Sequence, residues 1–155
     1  PAAAKEAGAR LADPSAAISV LWLRRSLTFT VCLMENLMAA GDDAYGADAS
    51  IASEGGGESM TALLSKDTVL DALNDAYESL RPYHGWLAQK SFGLFVGAAP
   101  RYDDVLAMVG PGLGDADRNA VVRADMGVYT ETGRALIAAL EDLYCELGLE
   151  DIRKV

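Results

Sequence analysis

Few residues in this sequence are equipped for chemistry. There is one histidine, His84, with two tryptophans, Trp22 and Trp86, and two cysteines, Cys32 and Cys145. One His and two distant Cys do not make a metal-ligand cluster, which needs several donors at short spacing. No nucleophile, base and orienting group fall together either, so neither an enzyme nor a bound cofactor is expected. Both cysteines lie in apolar, helical-looking segments and are expected to be buried, reduced thiols. A disulfide between them stays open on sequence grounds.

His84 and Trp86 share the stretch "LRPYHGWLAQKSFGLFVGAAP", Leu80 to Pro100. Successive helical residues turn by about 100°. A helix from about Tyr83 to Ala98 would put Leu87, Ala88, Ser91, Phe92, Phe95 and Ala99 on the His84 face. Trp86 would point about 200° away, beside Lys90 and Gly93. His84 then looks inward and Trp86 outward, and the two do not share a task. His84 is either a core histidine bonded to a backbone carbonyl or a donor to a ligand. Trp86 is either packed on a neighbouring helix or an anchor at a membrane interface.

A second candidate face lies on the first apolar segment. Ile18, Trp22, Arg25, Ser26, Phe29 and Leu33 recur at helical spacing. A Trp beside an Arg in an apolar stripe has two readings. One is a large core residue with an arginine that snorkels to water. The other is an aromatic platform for a flat, partly apolar ligand such as a sugar ring.

Helices must position these residues. "DPSAAISVLWLRRSLTFTVCLMENLMAAG" opens with capping chemistry at Asp13 or Ser15 and closes at Gly41. It is apolar on nearly all sides, which predicts a central, buried helix. The segment 41–60, rich in Gly, Ser and acid, reads as a flexible loop. "SKDTVLDALNDAYESL" carries Val69, Leu70, Leu73, Ala76, Tyr77 and Leu80 on one amphipathic stripe, ended near Pro82. "YDDVLAMV" is a short helix stopped by "GPGLG". A long segment capped by Asp115 reaches about Leu147, with Gly148 as its C-cap. With no alternating strand pattern, the chain reads as all-α and as a single domain over residues 1–155.

Composition bounds the function. The chain has 155 residues, is 51% hydrophobic and carries a formal net charge of −10. Such a surface repels phosphate backbones, so nucleic-acid binding is not expected. Anionic membranes are disfavoured for the same reason, whereas neutral bilayers and proteins are not. The most apolar segment is interrupted by Arg24, Arg25 and Glu35, so a transmembrane helix is not expected.

The two motifs resemble those of the glycolipid transfer protein family. "VLWLRRSLTF", Val20 to Phe29, is similar to the family's Trp-Leu-basic-Arg helix. The Leu80 to Pro100 stretch is similar to its Tyr-His-Gly-Trp helix and Ala-Ala-Pro ending, and "RKV" to its terminal tail. The resemblance implies a two-layer helical sandwich enclosing a sphingolipid, with its sugar at the surface and its chains in an apolar tunnel. It implies that Trp22 stacks the first sugar, with Arg25 beside it, and that His84 bonds the ceramide amide carbonyl. Ile18, Phe29, Leu33, Leu80, Leu87, Phe92 and Phe95 would line the chain pocket. Trp86 and Lys90 would meet a neutral membrane, and Val155 would approach the headgroup, with Arg153 near the family's usual terminal tyrosine. A cytoplasmic protein working peripherally at membranes follows from the same likeness. Relatives that carry phosphorylated sphingolipids have Arg where this chain has Trp22, and their second motif differs from Gly85 and Gln89-Lys90. A neutral sugar is therefore the expected headgroup.

One family segment is not found. Asp-x-x-x-Asn-x-x-Lys, on a helix before the Trp helix, has no match at that spacing. Three explanations follow: the chain is part of a longer transfer protein, the other half is a separate polypeptide, or the fold serves as a structural subunit of a larger assembly, an organellar one included. In each, a protein partner or a further segment would cover the apolar face of the first helix.

Overall fold

The computed structural model describes residues 15–51, 66–152 and 154, with side chains at all of these except 42–51, 66, 67, 115 and 116. Asp13, Arg153, Val155 and the 52–60 part of the expected loop lie outside the described residues. Every regular element is helical among those described: α1 (Ala16–Ile51), α2 (Lys66–Tyr77), a 3₁₀ turn (Arg81–Tyr83), α3 (Trp86–Val96), α4 (Tyr102–Val109) and α5 (Asp115–Leu147).

α1 is the hub. It packs along α5 on one side and α2 on the other. Ser15 caps it, its hydroxyl accepting from the Ile18 amide at 3.2 Å, which satisfies one of the four orphan donors of a helix start. By length and hydropathy, Ala16–Gly41 would suffice to cross a membrane. Its charges are instead bound within the protein. Arg24 pairs both guanidinium nitrogens with Glu150, at 2.5 and 3.0 Å, and Glu35 is bidentate to Arg134 of α5. The backbone continues helical to Ile51, so Gly41 does not end it. Gly41 is buried between Arg123 and Tyr102, a close-approach site rather than a C-cap.

Two apolar clusters hold the helices. Leu37, Val69, Ala72, Tyr102, Leu106, Val122 and Met126 join α1, α2, α4 and α5. Ile18, Leu21 and Tyr144 join the start of α1 to the end of α5. Burial of this kind contributes about 1.5–3 kcal/mol per large side chain. Tyr144 also donates its hydroxyl to the Ala17 carbonyl. At Gly148, φ is +63°, the left-handed C-cap expected from sequence. The thiols are free, but Cys145 is exposed and Cys32 half-buried. Their expected burial is therefore a correction: α5 turns Tyr144 inward, and the next position faces water.

α1 and α5 also approach closely at Gly133. A Cβ there would lie 2.6 Å from Val31 Cγ2, and Val31 is fully buried, so it cannot yield. Gly133→Val should destabilise the fold by about 1–3 kcal/mol through overpacking. A lowered urea midpoint at unchanged slope is the expected readout, and an unchanged midpoint would mean that the helices part freely there.

Candidate functional site

The chain enters α3 differently from the sequence expectation. Pro82 fixes φ in the first turn of a 3₁₀ helix over Arg81–Tyr83. His84 follows in an extended conformation, Gly85 is the N-cap, and α3 begins only at Trp86. His84 is therefore not on the α3 stripe. Gln89 reaches back from the first turns of α3 and donates to the His84 carbonyl at 2.9 Å.

Two helices meet at the imidazole. Trp22 of α1 stacks on it, with centroids 6.1 Å apart and planes 24° apart. Tyr77, at the end of α2, places its hydroxyl 2.9 Å from Nδ1. The Tyr77 ring stacks on Phe92 of α3 at 3.7 Å, nearly parallel. Phe92 meets Phe29 of α1 edge-on at 6.2 Å. Trp22, His84, Tyr77, Phe92 and Phe29 thus form one continuous aromatic ladder. Offset and edge-on pairs of this kind add about 0.5–1.5 kcal/mol beyond burial.

Arg25 sits behind the ladder. It is buried, with its guanidinium carbon 4.8 Å from the Trp22 ring centroid and 3.6 Å from that of Tyr83. One amino group donates to the Asp151 carbonyl. Burial pulls its pKa below the ordinary arginine value, without neutralising a group that titrates so high. A snorkelling arginine is thus corrected to an enclosed one. The guanidinium faces rings instead of water, as its weak hydration permits.

The electrostatics favour neutral forms. Burial lowers the His84 pKa from 6.5 and raises that of Tyr77 from 10.0. At neutral pH the pair is imidazole and phenol. Because folding depresses the His84 pKa, its contribution to stability is present above about pH 6.5 and lost as pH falls through the lower folded value. Besides Tyr77, the Arg25 cation lies against the same Trp22 ring that stacks on His84. Thermal midpoints should therefore fall more steeply below pH 6.5 in the parent protein than in His84→Gln. Parallel curves would contradict this.

Of the expected chain-lining residues, Phe29 and Phe92 are in the ladder, and Leu80 is half-buried in the turn after α2. Leu33 packs on the central cluster, and Ile18 belongs to the cluster with Leu21 and Tyr144. Leu87 and Phe95 are corrections, at 64% and 77% exposed. Because α3 starts at Trp86, it docks along Ala88, Phe92 and Val96, the four-residue row of a helix. That rotation carries Leu87 to the open side with Trp86, which is 71% exposed. Lys90 lies on the same side, its ammonium 5.5 Å from the Trp86 ring centroid. His84 and Trp86 do part company, but through the break at Gly85 rather than across one helix.

Sequence reasoning missed two residues. Tyr77 counted only as an apolar position of α2, and Tyr83 only as part of the motif. A buried phenol needs a hydrogen-bond partner, and that rule could have paired Tyr77 with the nearby histidine. The expected backbone carbonyl partner of His84 is replaced by this hydroxyl.

The helices thus bring together a run of ring contacts with the imidazole between Trp22 and Tyr77. The chain belongs to the glycolipid transfer protein family, whose model matches residues 2–111. It is similar to human pleckstrin homology domain-containing family A member 8, 36% identical over 83 residues, which cover 51% of this chain and 16% of that protein. It is similar to glycolipid transfer protein B of Xenopus laevis, 26% identical over 142 residues, covering 90% of this chain and 59% of that one. A solved structure of FAPP2, described as selecting simple glycosphingolipids with the GLTP fold, superposes with a TM-score of 0.62 at 27% identity. That match covers 91% of this chain and 57% of the other. The chain thus spans less than two thirds of each of these relatives.

Proposed function

We propose that the protein binds a glycosphingolipid and carries it between membranes. The Trp22–His84 stack carries the reading. It joins a ring face that suits the C–H face of a sugar to a donor that suits an amide carbonyl. A buried carbonyl left without a donor would cost about 1–3 kcal/mol. Hydrocarbon burial contributes about 0.8 kcal/mol per CH₂, so the lipid's chains provide most of the affinity and the polar groups provide the selection. Trp22 favours a neutral headgroup, since a phosphate would call for added cations around it. Carriage of this kind breaks no covalent bond and requires no catalytic group.

The exposed side of α3 is the membrane-facing side in this reading. Trp86, Leu87, Lys90 and Leu94 share one arc of the helix and are all exposed. An indole and leucines would enter the interface, with Lys90 reaching toward the lipid phosphates. Trp86→Ala should slow transfer several-fold while leaving equilibrium glycolipid affinity within about twofold. The test compares transfer of fluorescent galactosylceramide between phosphatidylcholine vesicles with binding of the same lipid from detergent. Equal losses in the two would place Trp86 in the lipid site instead.

A further inference from the structure

The Tyr77–His84 contact does more than fill space. A neutral imidazole carries one N–H and one bare nitrogen, and which is which decides what it can bind. Tyr77 reaches Nδ1. A phenol O–H is a better donor than a neutral imidazole N–H, and an imine nitrogen a better acceptor than a phenol oxygen. Among the described residues the Tyr77 hydroxyl has no second acceptor, so donation to Nδ1 is also the arrangement that uses its proton. The rest of the residue is held too. Its ring is clamped on Phe92, and Gln89 holds the His84 carbonyl.

We propose that Tyr77 is a positioning residue whose hydroxyl donates to His84 Nδ1, holds the imidazole as its Nε2–H tautomer, and so presents the ligand with a donor and never an acceptor. Selection follows from this. Lipids whose chain junction offers a carbonyl, such as an amide, are accepted. Lipids offering only a hydroxyl to that atom can still bond by accepting, but a junction that offers only donors leaves Nε2–H and the donor facing each other. The inference rests on the lipid-binding reading of His84, but its first test does not require a lipid.

The only histidine of the chain is His84, so its ring nitrogens give one unambiguous pattern in a long-range ¹H–¹⁵N correlation spectrum. The full 155-residue chain is labelled with ¹⁵N and measured without lipid above pH 7. The expected spectrum has Nδ1 in the unprotonated range and Nε2 in the protonated range. Tyr77→Phe keeps the ring on Phe92 and should draw the two shifts toward a tautomer average while raising the His84 pKa. A parent spectrum with protonated Nδ1, or a folded Tyr77→Phe with unchanged shifts, overturns the proposal. The parent spectrum decides by itself should Tyr77→Phe not fold.

A second arm uses galactosylceramide in phosphatidylcholine vesicles. Tyr77→Phe should bind roughly tenfold more weakly, the effect of one misplaced donor. Parent binding with no loss in Tyr77→Phe overturns the positioning role and leaves the lipid reading standing. No parent binding, with the Nε2–H tautomer present, overturns the lipid reading and with it the selective role of Tyr77.

Discussion

Trp22→Ala should reduce galactosylceramide binding on the order of 100-fold while leaving the protein folded. The indole is half-buried, and its ring serves three neighbours at once. It stacks on His84, lies under Arg25, and packs against the Ile18, Leu21 and Tyr144 cluster. Alanine removes the ring proposed to stack on the sugar and also takes away the stacking partner of the imidazole. Truncating a large aromatic costs about 3–5 kcal/mol when it is fully buried, and the cost here is smaller because one side is open. Trp22→Phe separates the two effects. It restores a ring for stacking with less area, so binding should recover part of the way. Binding of the lipid from detergent, followed by circular dichroism at 222 nm as a folding check, reads both. Binding within threefold of the parent in Trp22→Ala would remove the stacking role.

The second large effect is on stability. Arg25→Met should destabilise the fold by about 2–4 kcal/mol. Methionine fills similar volume, so little of this comes from a cavity. The loss arises from two contacts that only a guanidinium makes. It lies over the Tyr83 ring at 3.6 Å while donating to the Asp151 carbonyl. A desolvated cation over an aromatic face is worth about 2 kcal/mol, and the Asp151 carbonyl loses this donor. Arg25→Lys should recover little, because an ammonium cannot both lie flat on a ring and reach sideways to a carbonyl. The salt bridge next door makes a useful contrast. Arg24 is bidentate to Glu150, but Glu150 is about half exposed, so Glu150→Gln should cost less than about 1 kcal/mol. Equal urea midpoints for Arg25→Met and Glu150→Gln would contradict the ranking.

These two variants also touch the part of the chain where sequence was least informative. The helices themselves were legible. The stripe through Val69, Ala76 and Tyr77 is buried as the spacing predicts, and α4 has the expected bounds. Trp22 and His84 were legible as site candidates because an indole and a lone imidazole in apolar surroundings are costly to leave unpartnered. Their mutual stack was not, because it joins α1 to a turn more than sixty positions away in sequence. The C-terminal contacts were hidden for the same reason. Arg24 and Arg25 both find partners at Glu150 and Asp151, and no local pattern announces a partner so far along the chain.

The direction of α3 shows a different limit. Periodicity gives relative angles within a helix but not its starting residue. The Tyr83 start put Leu87 and Phe95 with His84, whereas the Trp86 start sets the docking row on Ala88, Phe92 and Val96. Pro82 was read as a boundary, yet the 3₁₀ turn it opens consumed the next residues. Gly85 then completed the break. At Gly41 the error ran the other way. A glycine in the helix allowed close approach of Arg123 and Tyr102 and was mistaken for a stop.

Glycolipid binding at the Trp22–His84 pair is tested most directly by native mass spectrometry. The protein is incubated with phosphatidylcholine vesicles containing galactosylceramide and then separated from them. The expected spectrum shows a one-to-one complex with galactosylceramide that is absent from Trp22→Ala and diminished in His84→Ala. A parent protein without a galactosylceramide adduct, or one whose adduct survives Trp22→Ala undiminished, would contradict it.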